Sequence, residues 1–244
     1  MKAIILAAGT ASRLRPLTNE TPKCLLQIGE RSLLQRSLDA LIHAGIDRFC
    51  IVTGYLHEKI EAFIGKHYPT LSVQFIHNGQ YASTNNIYSL WMARPFADGS
   101  DTLLLDSDLL YDGAIVERVL QHPSANVLTL IQHDLGEEEM KVVLDSRTGA
   151  ISAINKTCNP ATAAGESLGI EKMGAAYTRA LYAELEKMME KEHLENAYYE
   201  LAFERLIAQG HSFQVIDASD LFSCELDTVE DFENAKQLIP PTLY

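Results

Sequence analysis

The chain holds 244 residues, 47% of them hydrophobic and 22% charged, with a formal net charge of −13 and a pI near 5.0. This is a globular composition, with room for a substantial core in one large α/β domain or at most two small ones. The acidic balance disfavours polymeric nucleic acid as a partner, which needs a basic face, and no apolar run approaches the roughly 20 residues of a membrane span.

The first element, KAIILAA at residues 2–8, is an apolar run that predicts a buried strand. It is too short for a secretory signal and no small-residue cleavage site follows, so a cytoplasmic protein is expected. SLLQRSLDALIHAG (32–45) has apolar positions at helical spacing and ends on Gly45. RFCIVTGY (48–55) and LSVQFIHN (71–78) predict two further strands, with the helix HEKIEAFIGKH (57–67) between them. NNIYSLWMARPF (85–96) predicts a short helix stopped by Pro95, and DTLLLDSDLL (101–110) a fourth strand with acids at its carboxyl end. Alternating helices and apolar strands predict a Rossmann-like α/β fold, with a mostly parallel (mixed) sheet and helices on both faces. Ligands then belong at the carboxyl ends of the strands.

After about residue 122 the pattern changes. ANVLTLIQH (125–133) predicts a strand, KVVLDSRTGAISAINK (141–156) a hairpin turning at 146–149, and ESLGIEKM (166–173) another strand. Two helices (175–193 and 197–210), a strand (212–217) and a helix (228–239) follow. With no Pro-, Ser- or Gly-rich linker and no repeat, a single domain over 1–244 is expected, built of halves meeting near residue 122. Cys24, Cys50, Cys158 and Cys224 lie far apart with no C-x-x-C pair, which predicts reduced thiols in or near the core. The histidines show no paired metal spacing, and a homo-oligomer stays open.

LAAGTASRLRPLTNETPK, residues 6–23, looks like a phosphate loop but holds one glycine, Gly9. A dinucleotide fingerprint needs G-x-G-x-x-G and a Walker A loop needs G-x-x-x-x-G-K-[ST]; neither is present. What remains is a turn after the first strand, where Ala8, Gly9 and Thr10 offer backbone N–H groups and Arg13, Arg15 and Lys23 bring cations. That combination suits the oxygens of a triphosphate tail; a solvated basic loop is the plain alternative. Asp106 and Asp108 fall on alternate positions, so both can project beyond the sheet edge as oxygen ligands for Mg²⁺, or else simply begin a loop. Asp227, just before a helix, reads on its own as an N-cap.

The stretch LAAGTASRLRPLTNETPKCLL resembles the signature of the sugar-nucleotidyltransferase superfamily, L-A-A-G-x-G-x-R-L-x-P-L-T followed by P-K-x-L, and the later elements follow the same order. The second signature glycine is Ala11 here, tolerable at negative φ but crowded in a left-handed turn. The resemblance implies a nucleotide half up to about residue 122 and an acceptor half from about 123. It implies that Leu6, Ala7, Ala8, Gly9 and Thr10 line the nucleotide, that Arg13 contacts the triphosphate and that Lys23 neutralises the α-phosphate. It also makes Asp227 the second metal ligand beside Asp106, with Glu225 as companion.

N-N-I-Y-S-L at 85–90 resembles the phosphocholine cytidylyltransferase branch, which implies that Asn85, Asn86 and Ser89 face the base of CTP or the acceptor phosphate; helix capping by Asn86 is the alternative. The same resemblance puts Lys156 on the acceptor phosphate and Glu166 on the acceptor's polar groups. Lys141 and Lys172 are further candidates, although exposed lysine is the simpler expectation for each. Tyr198, Tyr199 and Glu200 together suit a quaternary ammonium through cation–π contacts, or one tyrosine is simply buried on an amphipathic helix. Family members carry a tryptophan near Met140, whereas the only tryptophan here is Trp91, so a primary amine, a polyol phosphate or a sugar 1-phosphate also fits.

The implied chemistry is Mg²⁺-dependent transfer of a nucleotidyl group, from CTP before other nucleotides, to a small phosphorylated acceptor with loss of pyrophosphate. The alternatives are a sugar-1-phosphate nucleotidyltransferase using UTP, dTTP or GTP, and a non-catalytic nucleotide-binding regulatory protein. The failed glycine pattern disfavours a nicotinamide dehydrogenase.

Overall fold

The computed structural model describes residues 1–243. Strand β1 (Lys2–Ala7) lies inside a nine-stranded sheet, flanked on both sides. Its side chains alternate between two cores: Ile4 and Leu6 enter one, Ala3, Ile5 and Ala7 the other. Burial on both faces is why the segment reads as a continuous apolar run. The loop after β1 leads to a small hairpin, β2 (Gln27–Ile28) with β3 (Arg31–Ser32). Ser32 then caps α1 (Leu33–His43), its hydroxyl accepting from the Gln35 amide at 3.2 Å.

β4 (Arg48–Thr53), α2 (His57–His67) and β5 (Ser72–His77) complete the parallel side, ordered β1–β4–β5. α3 (Asn86–Met92) is followed by α4 (Arg94–Ala97). Pro95 therefore opens a second short helix instead of ending the segment, because a first-turn N–H is unpaired in any helix. β6 (Thr102–Asp106) pairs parallel with β1 and stops at Asp106. The chain bends at Ser107 and Asp108, and β7 (Leu109–Tyr111) leaves the main sheet. The expected single strand over 101–110 is thus two, and α5 (Ala114–Gln121), which the sequence reading lacks, comes next.

Beyond residue 122 the pairing turns mainly antiparallel. β8 (Val127–Ile131) is followed by β9 (Lys141–Leu144) and β10 (Ile151–Asn155), which form the expected hairpin. β11 (Gly165–Met173) runs antiparallel to β6 and β9 along one edge and to β8 along the other, so the sheet is mixed and continuous across both halves. α6 (Ala175–Glu190) and α7 (Glu200–Ala208) pack with α3 on one face; α1, α2 and α5 cover the other. α7 starts later than the expected residue 197. β12 (Gln214–Asp217) adds parallel to β8, β13 (Ser223–Glu225) pairs antiparallel with β7, and α8 (Val229–Leu238) follows. A third core of Leu14, Leu26, Leu110, Leu226 and Phe232 ties the loop after β1 to β7 and α8.

Lys141 and Lys172 are buried, contrary to the expectation of exposed lysines. Lys172 Nζ donates to the carbonyls of His122 (2.6 Å) and Leu120 (3.5 Å) and so closes the carboxyl end of α5, while Lys141 Nζ donates to the Glu139 carbonyl (3.1 Å). Cys24 and Cys50 are buried, Cys158 and Cys224 partly so, and all are free thiols. Among the described residues no helix is long and apolar enough to cross a membrane.

Candidate active site

The carboxyl ends of β1 and β6 open into a cleft of about 370 Å³. Leu6, Ala7, Ala8 and Gly9 form its floor; Thr10 and Arg15 do not reach it. A Cβ on Gly9 would meet nothing within 4 Å, so the backbone there is open to a ligand. Ala11 has φ 46° and ψ 49°, the left-handed region that the signature glycine would occupy without strain. The turn is locked regardless: the Ala11 carbonyl accepts from the Leu14 amide (3.1 Å) and the Thr18 hydroxyl (2.9 Å). Tyr55 OH donates to the carbonyls of Thr18 and Asn19, each at 2.9 Å, and pins the loop to the start of α2.

Lys23 is the hub of the cleft. Its Nζ donates to Asp108 Oδ2 and to Asp227 Oδ1, each at 2.8 Å, and Arg13 donates to the other Asp227 oxygen at 2.5 Å. Burial alone would lower the Lys23 pKa, but the Asp108 and Asp227 charges more than reverse it and hold the ammonium protonated. Burial likewise raises Asp227, and Lys23 and Arg13 overcome it to keep this carboxyl below the usual range. Asp227 is not the cap of α8. Thr228 fills that role, accepting from the Asp231 amide in a capping box, which leaves the Asp227 side chain free to face the cleft.

The carboxylates that converge are Asp108, Glu225 and Asp227, with one oxygen of each within 4.8 Å of the others. The pairing of β13 with β7, and a bond from the Leu226 amide to the Asp108 carbonyl (3.1 Å), bring these distant segments together. Desolvation by the surrounding cleft, with Asp108 and Asp227 nearby, pushes the Glu225 carboxyl up to about 8, although the residue is exposed overall. The donors are all carboxylate oxygens and Asp108 Oδ1 is buried without a partner among the described residues, so the trio fits a hard divalent cation such as Mg²⁺.

Asp106, expected as the metal ligand beside Asp227, lines the cleft but stands outside this trio. Its Oδ2 accepts from the Tyr199 hydroxyl at 3.0 Å, and a Cβ on Gly169 would come within 2.7 Å of the same oxygen. Burial, with Asp108 and Glu171 near, lifts its pKa well above the carboxylate range. The strand alternation that would align Asp106 with Asp108 ends at the bend after β6, before Asp108 is reached.

On the far wall Asn85, Asn86 and Ser89 line the cleft. Asn85 is the cap of α3, its side chain accepting from the Asn86 amide (2.8 Å), while Asn86 Oδ1 accepts from the Tyr199 amide (3.0 Å). The buried Asn78, which the sequence reading missed, donates to Ser89 Oγ and Thr84 Oγ1 at 3.1 Å each and organises this wall. Its signal was its place directly after β5, at a strand's carboxyl end. Tyr81 and Thr84 on the following turn were missed as well.

The acceptor candidates divide. Lys156 and Tyr198 line the cleft, with Lys156 Nζ 4.7 Å from the Tyr198 ring centroid. Glu166 accepts from His133 Nε2 at 2.6 Å if that nitrogen carries the proton, and it lines an adjoining lobe with Glu200. Tyr199, expected beside Tyr198 in an aromatic cradle, is fully buried and packs edge-on against Phe203. Its ring belongs to the core and only its hydroxyl serves the site, through Asp106.

Residues 2–140 match the family model of the nucleotidyl transferases. The CMP-5'-(3-aminopropyl)phosphonate synthase of Streptomyces rubellomurinus is 27% identical over 250 residues, covering 96% of this chain and 38% of that protein. The choline-phosphate cytidylyltransferase of Haemophilus influenzae is 43% identical over 110 residues, 45% of each chain. The matched stretches thus span less than half the length of these curated relatives. Among solved structures, CTP:phosphocholine cytidylyltransferase from Streptococcus pneumoniae superposes with a TM-score of 0.82 at 22% identity, over 98% of this chain and 99% of that one, a likeness of fold. Signature loop, mixed sheet and family match agree, and the chain belongs to the nucleotidyl transferase family.

Proposed function

We propose that the protein is a Mg²⁺-dependent cytidylyltransferase that joins the CMP part of CTP to a small phosphate- or phosphonate-bearing acceptor and releases pyrophosphate. The observation that carries this is the Lys23 ammonium held 2.8 Å from both Asp108 and Asp227, beside the signature loop. The named activities of the relatives support the choice of CTP and of a small acceptor. In this proposal the nucleotide sits over residues up to about 122, the acceptor over the remainder, and the protein is cytoplasmic.

An acceptor oxygen attacks the α-phosphorus of CTP; the new P–O bond forms as the bond to the β-phosphate bridging oxygen breaks, and pyrophosphate departs. A phosphate monoester has a second pKa near 6, so the attacking group is largely a dianion at neutral pH and needs no general base. The protein's work is alignment and neutralisation of charge. Lys23 stays protonated and presents its charge to the α-phosphate; Arg13 and the N–H groups after β1 receive the departing phosphates. Mg²⁺ held by Asp108, Glu225 and Asp227 adds positive charge at the phosphate oxygens when bound.

The test is pyrophosphate release with Mg²⁺, crossing CTP, UTP, dTTP and GTP against phosphocholine, 2-aminoethylphosphonate, inositol phosphate and sugar 1-phosphates. Release with CTP and a non-sugar acceptor is expected. Release only with another nucleotide and a sugar phosphate would replace cytidylyl transfer by sugar-nucleotide synthesis. Nucleotide binding without release from any pair would leave a regulatory protein.

A further inference from the structure

Beside the main cleft lies a lobe of about 130 Å³ that reaches Glu138, Glu166 and Glu200 and shares Asp106 and Asp227 with the cleft. Its cations are Lys156 and Arg13, and Arg13 is already paired with Asp227. Such a wall attracts a cationic tail, repels a second anionic one and gives an uncharged tail no charge attraction.

Glu200 narrows the choice. It opens α7, is only 7% exposed, lines the lobe, and its Oε2 is buried with no hydrogen-bond partner among the described residues. A buried carboxylate oxygen without a donor is costly until a donor arrives. The aromatic surface is meagre by comparison. Tyr199 is in the core, and the Tyr198 ring already carries the Lys156 ammonium. A trimethylammonium needs aromatic faces and offers no N–H. A primary ammonium brings three donors, and the orphaned carboxylate can accept one of them.

We propose that the acceptor is a zwitterion whose tail ends in an N–H-bearing ammonium, and that Glu200 selects it over quaternary ammonium and uncharged polyol tails. The proposal rests on the cytidylyl-transfer function above and names the substrate class of that same site.

Steady-state kinetics at pH 8, where the Glu200 carboxyl has given up its proton, with CTP and Mg²⁺ would compare 2-aminoethylphosphonate and phosphoethanolamine with phosphocholine and glycerol 3-phosphate. For the wild-type protein, kcat/KM for the primary amines should exceed that for either other acceptor by at least about tenfold, a difference of about 1.4 kcal/mol. Glu200→Gln should raise KM for the amines by at least about tenfold, with a smaller change in kcat, and narrow the gap to glycerol 3-phosphate. Equal or better use of phosphocholine or glycerol 3-phosphate by the wild type would overturn the proposal, and so would an unchanged amine KM in a folded Glu200→Gln variant. The wild-type comparison stands even if that variant does not fold. Failure of CTP with every acceptor would instead overturn cytidylyl transfer itself, and this proposal with it.

Discussion

Replacing Ala11 by glycine should stabilise the protein. Ala11 sits at φ 46° and ψ 49°, where a Cβ costs an L-residue about 1–2 kcal/mol. Glycine removes that strain but gives the unfolded chain extra freedom worth about 0.4–1 kcal/mol. The alanine methyl also packs partly against the core of Leu14 and Leu26, so a few tenths are lost there, roughly a third of a buried methylene. The net is about 0.5 kcal/mol in favour of glycine, a rise in Tm of about 1–2 °C for a chain of this size. Ala11→Val tests the same feature from the other side: a β-branched residue in that region should lower stability by at least about 1 kcal/mol. Thermal and urea unfolding of the three proteins decide the matter. A glycine variant less stable than wild type by more than about 1 kcal/mol would refute the left-handed turn, because only at negative φ is glycine that unfavourable.

Lys23→Ala should cut the rate of pyrophosphate release by at least about tenfold, or 1.4 kcal/mol in the barrier, and an unchanged kcat/KM would mean that the α-phosphate lies elsewhere. Burial pushes the Glu200 carboxyl up to about 7, and the sign of its contribution follows. The folded protein keeps this proton where the unfolded chain, with its carboxyl pKa near 4.3, has lost it. Its stabilising effect is therefore complete below that value and disappears as pH rises through about 7. Between pH 5 and 8 the wild type should lose stability relative to Glu200→Gln by on the order of 2 kcal/mol; parallel pH profiles in denaturant melts would show that no such proton is held.

The alternation of strand and helix is legible in the sequence because each parallel strand is buried on both faces and each crossover helix on one. The last turn of β6 is not. Period-two spacing aligns Asp106 with Asp108 only while a strand continues, and nothing local announces the bend at Ser107. The meeting of Asp108 with Glu225 and Asp227 depends on β7 pairing with β13, a contact between segments more than a hundred residues apart that no local pattern encodes. Tyr198 and Tyr199 look interchangeable in sequence, yet successive residues entering a helix point in different directions, so one faces the cleft and the other the core. The signature loop is the most legible part, by resemblance more than by physics: Leu6 to Gly9, Arg13 and Lys23 all line the cleft, and Thr10 and Arg15 fall outside it.

The most direct test of the active site is the Mg²⁺ dependence of pyrophosphate release from CTP in Asp108→Asn and Asp106→Asn, measured beside the wild type. Asp108→Asn removes a member of the converging trio and should shift half-saturation by Mg²⁺ at least about tenfold upward, since losing even a partner that only supports a ligand costs metal sites on the order of 10–100-fold. Asp106→Asn keeps an oxygen to accept from Tyr199 and should leave the Mg²⁺ half-saturation near that of the wild type. The opposite pattern, with the metal response lost in Asp106→Asn and intact in Asp108→Asn, would contradict the site.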